Sequence, residues 1–127
     1  MKDLYIPVDP ENDTPLVDFK LNGELRLEGK SFPEDPYRFY DPIFQWIKEF
    51  RVDCPPAINL TVRLDYFNTS TGKLVLYLFK IFENIHMSGA SKIKIIWLYN
   101  KNDEDMLESG KDYRSMIDVP FESIEFE

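Results

Sequence analysis

The sequence predicts an α/β fold in which a mixed β-sheet packs against helices, and three observations carry that prediction. Two alternating apolar and polar stretches, Leu16–Leu21 and Glu24–Glu28, flank Asn22-Gly23, a dipeptide that accepts the positive φ angles of a two-residue hairpin turn. Three further segments read as strands: Ile58–Leu64, Ile93–Tyr99 and Phe121–Phe126. Three stretches between these segments repeat apolar residues at helical spacing. Strand, helix, strand succession calls for parallel pairs with right-handed crossovers, and the opening hairpin adds an antiparallel edge. At 127 residues, a single domain over residues 1–127 is expected, burying roughly two thirds of its unfolded surface.

Each element has a local cause. Residues 7–15 place Pro7, Pro10 and Pro15 among Asp9, Glu11, Asn12 and Asp13, a composition that predicts a mobile, irregular arm. After the hairpin, Asp35-Pro36 and Asp41-Pro42 each read as a helix cap followed by proline at the first helical position, and the helix is expected to become regular after Pro42. Ile43, Trp46, Ile47 and Phe50 form its apolar face, and Cys54-Pro55-Pro56 ends it. Following the strand Ile58–Leu64, Asp65 to Thr71 reads as a loop, and Leu74, Val75, Leu78, Phe79, Ile81, Phe82 and Ile85 make a broad helical stripe that stops at Ser88-Gly89. Asp103, Glu104 and Asp105 suit the positive start of a third helix, with Met106, Leu107, Tyr113, Met116 and Ile117 as its apolar positions.

Composition narrows the function. One Cys and one His cannot form an internal disulfide or complete a four-ligand zinc site, so no metal is expected. The apolar runs Leu74–Phe79 and Ile93–Leu98 fall far short of the ~20 residues of a bilayer span, and the amino terminus lacks an export-type apolar region. A cytoplasmic protein with no membrane insertion is the expectation. The net charge of −8 argues against nucleic-acid binding. That charge is uneven: residues 1–54 carry 7 basic and 12 acidic side chains, residues 55–101 carry 6 and 2, and residues 102–127 carry 2 and 9. The middle third is locally basic.

Catalytic signatures are missing together. No phosphate-binding lysine loop, GxGxxG or GxSxG occurs; His86 has no nucleophile near it in sequence; and Asp103, Glu104, Asp105 and Glu108 lack the spacing of a calcium loop. No catalytic residue and no cofactor is expected. The segment Asp65-Tyr-Phe-Asn-Thr-Ser-Thr-Gly72 stands out because it joins the end of a core strand to the longest apolar helix, at the sheet edge where α/β folds meet ligands and partners. Asn68, Thr69, Ser70 and Thr71 offer more capping groups than one helix needs. A phosphate on a hydroxyl there adds about −1.5 to −2 charge beside the positive helix end, meets free backbone N–H groups, and lies four residues from Lys73.

Gly29-Lys-Ser-Phe-Pro-Glu-Asp-Pro36 with Phe39-Tyr40, then Leu64-Asp-Tyr-Phe-Asn-Thr-Ser70, then Ile96-Trp-Leu-Tyr99 and Asp103-Glu-Asp-Met-Leu-Glu-Ser-Gly110 resemble the SiaC-like biofilm regulation phosphoproteins over nearly the whole chain. The resemblance implies a STAS-like mixed β-sheet, as in anti-sigma-factor antagonists, with an N-terminal β-hairpin and about three helices. It also implies a chain with no catalysis of its own that works by partner switching. In such a pathway a Ser/Thr protein kinase phosphorylates the motif threonine, Thr69 here, and a PP2C-type phosphatase removes the phosphate. The unphosphorylated form binds a diguanylate cyclase and promotes cyclic-di-GMP synthesis. Thr71-Gly72-Lys73 departs from the family pattern, leaving Ser70 and Thr71 as secondary phosphoacceptor candidates and making the backbone more flexible. The alternative implied by the same relationship is an anti-sigma-factor antagonist acting on an anti-sigma kinase. The expected partner face comprises Asn68, Thr69 and Ser70 with Lys73, Tyr77 and Lys80, which share one side of the following helix.

Overall fold

A computed structural model describes residues 1–127. In chain order the elements are β1 (Leu4–Ile6), β2 (Leu16–Phe19), β3 (Glu24–Ser31), α1 (Pro36–Phe50), a 3-10 turn (Arg51–Asp53), β4 (Ala57–Phe67), α2 (Thr69–Ser88), β5 (Lys92–Asn100), α3 (Glu104–Met116) and β6 (Phe121–Phe126). The six strands lie in one sheet in sequential order; β1, β2 and β3 pair antiparallel, and β3 through β6 pair parallel. The expected α/β class and mixed sheet are both present.

Strand alternation sends Val17, Phe19, Leu25, Leu27, Ile58, Leu60, Val62, Leu64, Ile93, Ile95 and Trp97 into a single core shared with the buried sides of all three helices. The helices therefore cover one face of the sheet. The opposite face carries Arg26, Glu28, Arg63, Asp65, Lys94 and Glu122, which pair as Arg26–Glu28 at 2.8 Å, Arg63–Asp65 at 3.9 Å and Lys94–Glu122 at 2.8 Å. Such exposed pairs contribute at most about 1 kcal/mol each, so their main effect is to keep that face wet.

Several boundaries differ from the sequence reading, each for a local reason. The stretch from residue 7 to 15, expected as an irregular arm, closes on itself: Asp9 and Thr14 exchange backbone hydrogen bonds, and the Asp9 carboxylate accepts from the backbone N–H groups of Glu11 and Asn12 and from the Asn12 side chain. β1, absent from the sequence reading, pairs with β2, and the Trp46 indole anchors the preceding residues by donating to the Lys2 carbonyl at 2.8 Å. The hairpin turn spans Lys20–Gly23 rather than Asn22-Gly23 alone, closed by the Gly23 N–H donating to the Lys20 carbonyl at 3.0 Å. Gly23 has φ +99°, and a Cβ there would sit 2.5 Å from the Ala57 carbonyl oxygen, so glycine lets the turn lie against the start of β4.

The first helix begins at Pro36, not after Pro42. Asp35 caps it by accepting from the Arg38 N–H, and Pro42 lies inside the helix on an exposed side. Pro42 has no N–H to give the Arg38 carbonyl, and both residues are exposed, so the helix runs on without that bond. β4 likewise runs past Leu64 to Phe67, because Tyr66 and Phe67 pair with Lys30 and Ser31 after a register shift that skips Asp65. The expected loop from Asp65 to Thr71 shrinks to Asn68 alone. No helix is long and apolar enough to cross a membrane.

The core is densest around Trp97, which is fully buried, packs edge-on against Phe67 and Phe79, and stacks with Phe121. Its indole N–H donates to the Met106 carbonyl at 2.9 Å, and Gly110 lies so close that a Cβ would stand 2.6 Å from the ring. Gly110→Ala must displace a rigid indole, so we expect it to lower unfolding free energy by roughly 1–3 kcal/mol, measured by urea denaturation, despite the better helix propensity of alanine.

Candidate functional site at the start of the second long helix

The carboxyl end of β4 and the start of α2 meet at Asn68, whose extended backbone (φ −92°, ψ 176°) turns the chain in one residue. Its side-chain oxygen accepts from the Thr71 N–H at 3.0 Å and its carbonyl from the Gly72 N–H at 2.9 Å. Thr69 and Ser70 occupy the first two helical positions, both exposed, where backbone N–H groups have no partner within the helix. This corner thus presents two accessible hydroxyls at the positive end of a 20-residue helix.

Thr71 is placed differently from its neighbours. It is fully buried, with its hydroxyl 3.5 Å from the Ser31 hydroxyl at the end of β3. The third position of the helix thus points this secondary phosphoacceptor candidate into the core, unlike Thr69 and Ser70. Ser31 also shares a 2.7 Å hydrogen bond with the hydroxyl of Tyr40 on α1. From α3, the Tyr113 hydroxyl donates to the Gly72 carbonyl at 2.9 Å. Groups from β3, α1 and α3 therefore converge on Thr71 and Gly72 in the first turn of α2. Burial pushes the Tyr40 phenol up to about 12, with the Ser31 bond acting in the opposite direction. Tyr113 is raised further, by burial first and then by the nearby Tyr40 and Asp112.

Along the exposed side of α2, Lys73, Tyr77 and Lys80 follow the corner in one stripe. Lys73 has no carboxylate within 4.0 Å, so its ammonium group is free. Tyr77 is 55% exposed and packs edge-on against Phe44 of α1 at 4.9 Å. Lys80 is engaged otherwise: it donates to the Met116 carbonyl at 2.6 Å and pairs with Glu83 at 3.4 Å, tying α2 to the end of α3. The expected partner face thus divides into an open part, Asn68 to Tyr77, and a structural lysine. Sequence reasoning missed Ser31, Tyr40 and Tyr113 as parts of the site because they lie 41, 32 and 41 positions from Gly72, in elements whose periodicity marks them only as core. Tyr66, two residues before Asn68, is 50% exposed and packs edge-on against Phe32 at 5.1 Å.

The remaining reactive groups have structural partners. His86 Nδ1 accepts from the Ile93 N–H at 3.0 Å, and the Cys54 thiol lies 3.7 Å from the Ala90 carbonyl. Asp103 caps α3 by accepting from the Met106 N–H at 3.0 Å. A concavity of about 780 Å³ lies between the β1–β2 turn and the start of α1 and is lined by Asp9, Glu11, Asp13, Glu34, Asp35 and Arg38 among others. There Asp9 is held below the ordinary carboxylate range by its bond from Asn12, the reverse of the raised carboxyl a general acid requires.

Two outcomes follow from this geometry. Asn68→Ala removes the cap of α2 and is expected to lower stability by about 1 kcal/mol in denaturant titration. The buried phenols make stability alkali-sensitive: the folded state keeps Tyr40 protonated where an unfolded tyrosine, at about 10, ionises. Stability from this source is complete below pH 10 and declines as pH rises from 10 towards 12, where the unfolded chain binds fewer protons. Tyr40→Phe is expected to flatten that decline in unfolding titrations across this range.

The model of the SiaC family of regulatory phosphoproteins matches residues 8–126. An uncharacterised protein of Pseudomonas aeruginosa strain UCBPP-PA14 is 28% identical over 121 residues, covering 95% of this chain and 94% of that protein. The structure of SiaC of Pseudomonas aeruginosa superposes with TM-score 0.87 at 26% identity, covering 99% of this chain and 100% of the other. A chain in the crystal structure of the diguanylate cyclase SiaD with its activator SiaC, from the same organism, superposes with TM-score 0.89 at 27% identity, covering 98% and 100%. By the extent of the family match, this chain belongs to the SiaC family of regulatory phosphoproteins.

Proposed function

We propose that this chain activates a diguanylate cyclase and is switched by phosphorylation at Thr69, with a Ser/Thr protein kinase adding the phosphate and a PP2C-type phosphatase removing it. The observation that carries this reading is the position of Thr69: exposed, first in α2, above free backbone donors and four residues before an unpaired lysine. The likeness to SiaC, an activator of the diguanylate cyclase SiaD, supports the choice of partner. Ser70 shares the exposure and is the secondary acceptor. Burial of Thr71 concentrates the modification on these two residues.

The physical mechanism is electrostatic. Unmodified, the Asn68 to Ser70 corner with Lys73 and Tyr77 is a neutral-to-basic surface on a chain of net charge −8, suited to burial against a cyclase. A phosphate on Thr69 would be held by the helix start and would draw Lys73 towards itself, so a partner would have to bury a doubly charged group and lose a cation. Repulsion and desolvation together are worth a few kcal/mol, or about 10- to 100-fold in affinity at roughly 1.4 kcal/mol per decade. Because the phosphate sits outside the core, the fold itself is unaffected and the switch lies in binding.

The test pairs Thr69→Ala with Thr69→Asp in binding to a SiaD-type diguanylate cyclase and in cyclic-di-GMP synthesis, alongside peptide mass mapping of the protein from its own cells. We expect a phosphoryl group on Thr69 and cyclase activation by Thr69→Ala but weakened activation by Thr69→Asp. Equal activation by both variants, with no phosphate on Thr69 when the kinase is supplied, would overturn the reading.

A further inference from the structure

The first turn of α2 has every local reason to fray. Its leading N–H groups are unbonded within the helix, two exposed hydroxyl residues begin it, and Gly72 at the fourth position costs about 1 kcal/mol of helix propensity relative to alanine. Yet this turn is tied at three points: Asn68 caps Thr71, Thr71 meets Ser31, which is itself bonded to Tyr40, and Tyr113 bonds the Gly72 carbonyl. Glycine at position 72 is part of the arrangement. A Cβ there would lie 3.1 Å from the Phe67 ring and 3.4 Å from the Tyr113 hydroxyl, so any side chain would have to press Phe67 back by a few tenths of an ångström beside the bond from Tyr113.

We propose that Tyr113, Ser31 and Tyr40 are positioning residues for the Thr69 corner: their hydroxyls hold the first turn of α2 in register with α3, β3 and α1, and so set the pose in which Thr69 and Ser70 are presented. The proposal deepens the reading of Thr69 as the modified residue and rests on it. None of the three touches a phosphate or a partner. They act through Gly72 and Thr71, and they make the placement of α3 on the sheet a determinant of how the corner is displayed. A glycine that sequence alone reads as added flexibility becomes the point of restraint.

Amide hydrogen exchange on the full chain tests this directly. In Tyr113→Phe, which keeps the ring and loses only the hydroxyl, amides in the first two turns of α2 (residues 71–76) are expected to exchange about tenfold faster. Core amides of β4 and β5 should change by no more than the shift in global stability read from denaturation. Ser31→Ala should reproduce the effect from the β3 side and serves if Tyr113→Phe folds poorly. The rate of phosphoryl transfer to Thr69 by its kinase should fall in the same variants. Exchange in residues 71–76 that is unchanged, or faster only by the factor seen throughout the molecule, would overturn the proposal. If the exchange change is local but wild-type protein is neither phosphorylated at Thr69 nor bound by a cyclase, the anchoring stands and the functional reading falls.

Discussion

The close approach of α3 to β5 is the contact on which the Thr69 corner depends. Gly110 removes the side chain that would hold the helix away, and the Trp97 indole fills the space and bonds the Met106 carbonyl. With α3 at that distance, Tyr113 lies 5.2 Å from the Phe79 ring and its hydroxyl reaches Gly72. The aromatic cluster thereby converts an apolar packing distance into the position of a polar group one turn into α2. Dispersion and burial supply the stability, roughly 1.5–3 kcal/mol for each large side chain removed from water, and the hydroxyl supplies direction.

Two kinds of surface result. The sheet face away from the helices is studded with ion pairs that neutralise one another, whereas the α2 side keeps Lys73 unpaired beside exposed hydroxyls and Tyr77. Lys73 belongs to the locally basic middle of the chain, residues 55–101, which carries six basic and two acidic side chains. Electrostatics of this kind influence which partner is accepted and how a modification alters acceptance more than they influence folding. The proposed switch and the scaffold are separable: the scaffold rests on burial, and the proposed switch on a few exposed groups.

Helix and strand periodicity was enough to place all three helices and five of the six strands, because a one-sided sheet and amphipathic helices write their buried faces directly into the sequence. What it missed has specific causes. β1 is three residues long, too short for alternation to register, and is held by pairing with β2 and by the Trp46 bond to Lys2. The start of α1 at Pro36 differs from the sequence reading because Pro42 reads as a helix boundary, although the helix runs through it at an exposed position. The loop between β4 and α2 was read as seven residues, since Tyr66 and Phe67 gain their strand character only by pairing with Lys30 and Ser31.

By itself the sequence determined the α/β class, the order of elements, the acidic balance, and the placement of Asn68, Thr69 and Ser70 before a long apolar helix, all of which depend on local spacing and composition. Only the tertiary structure decided that Thr69 and Ser70 face water while Thr71 is buried, that Lys80 is bound to the end of α3 while Lys73 is free, and that Ser31, Tyr40 and Tyr113 meet at the first turn of α2. The reason is physical: periodicity identifies a helix and its buried side, but whether a given polar group at the boundary is buried or exposed depends on the distance of helices remote in sequence, and that distance is set by packing around Trp97 and Gly110.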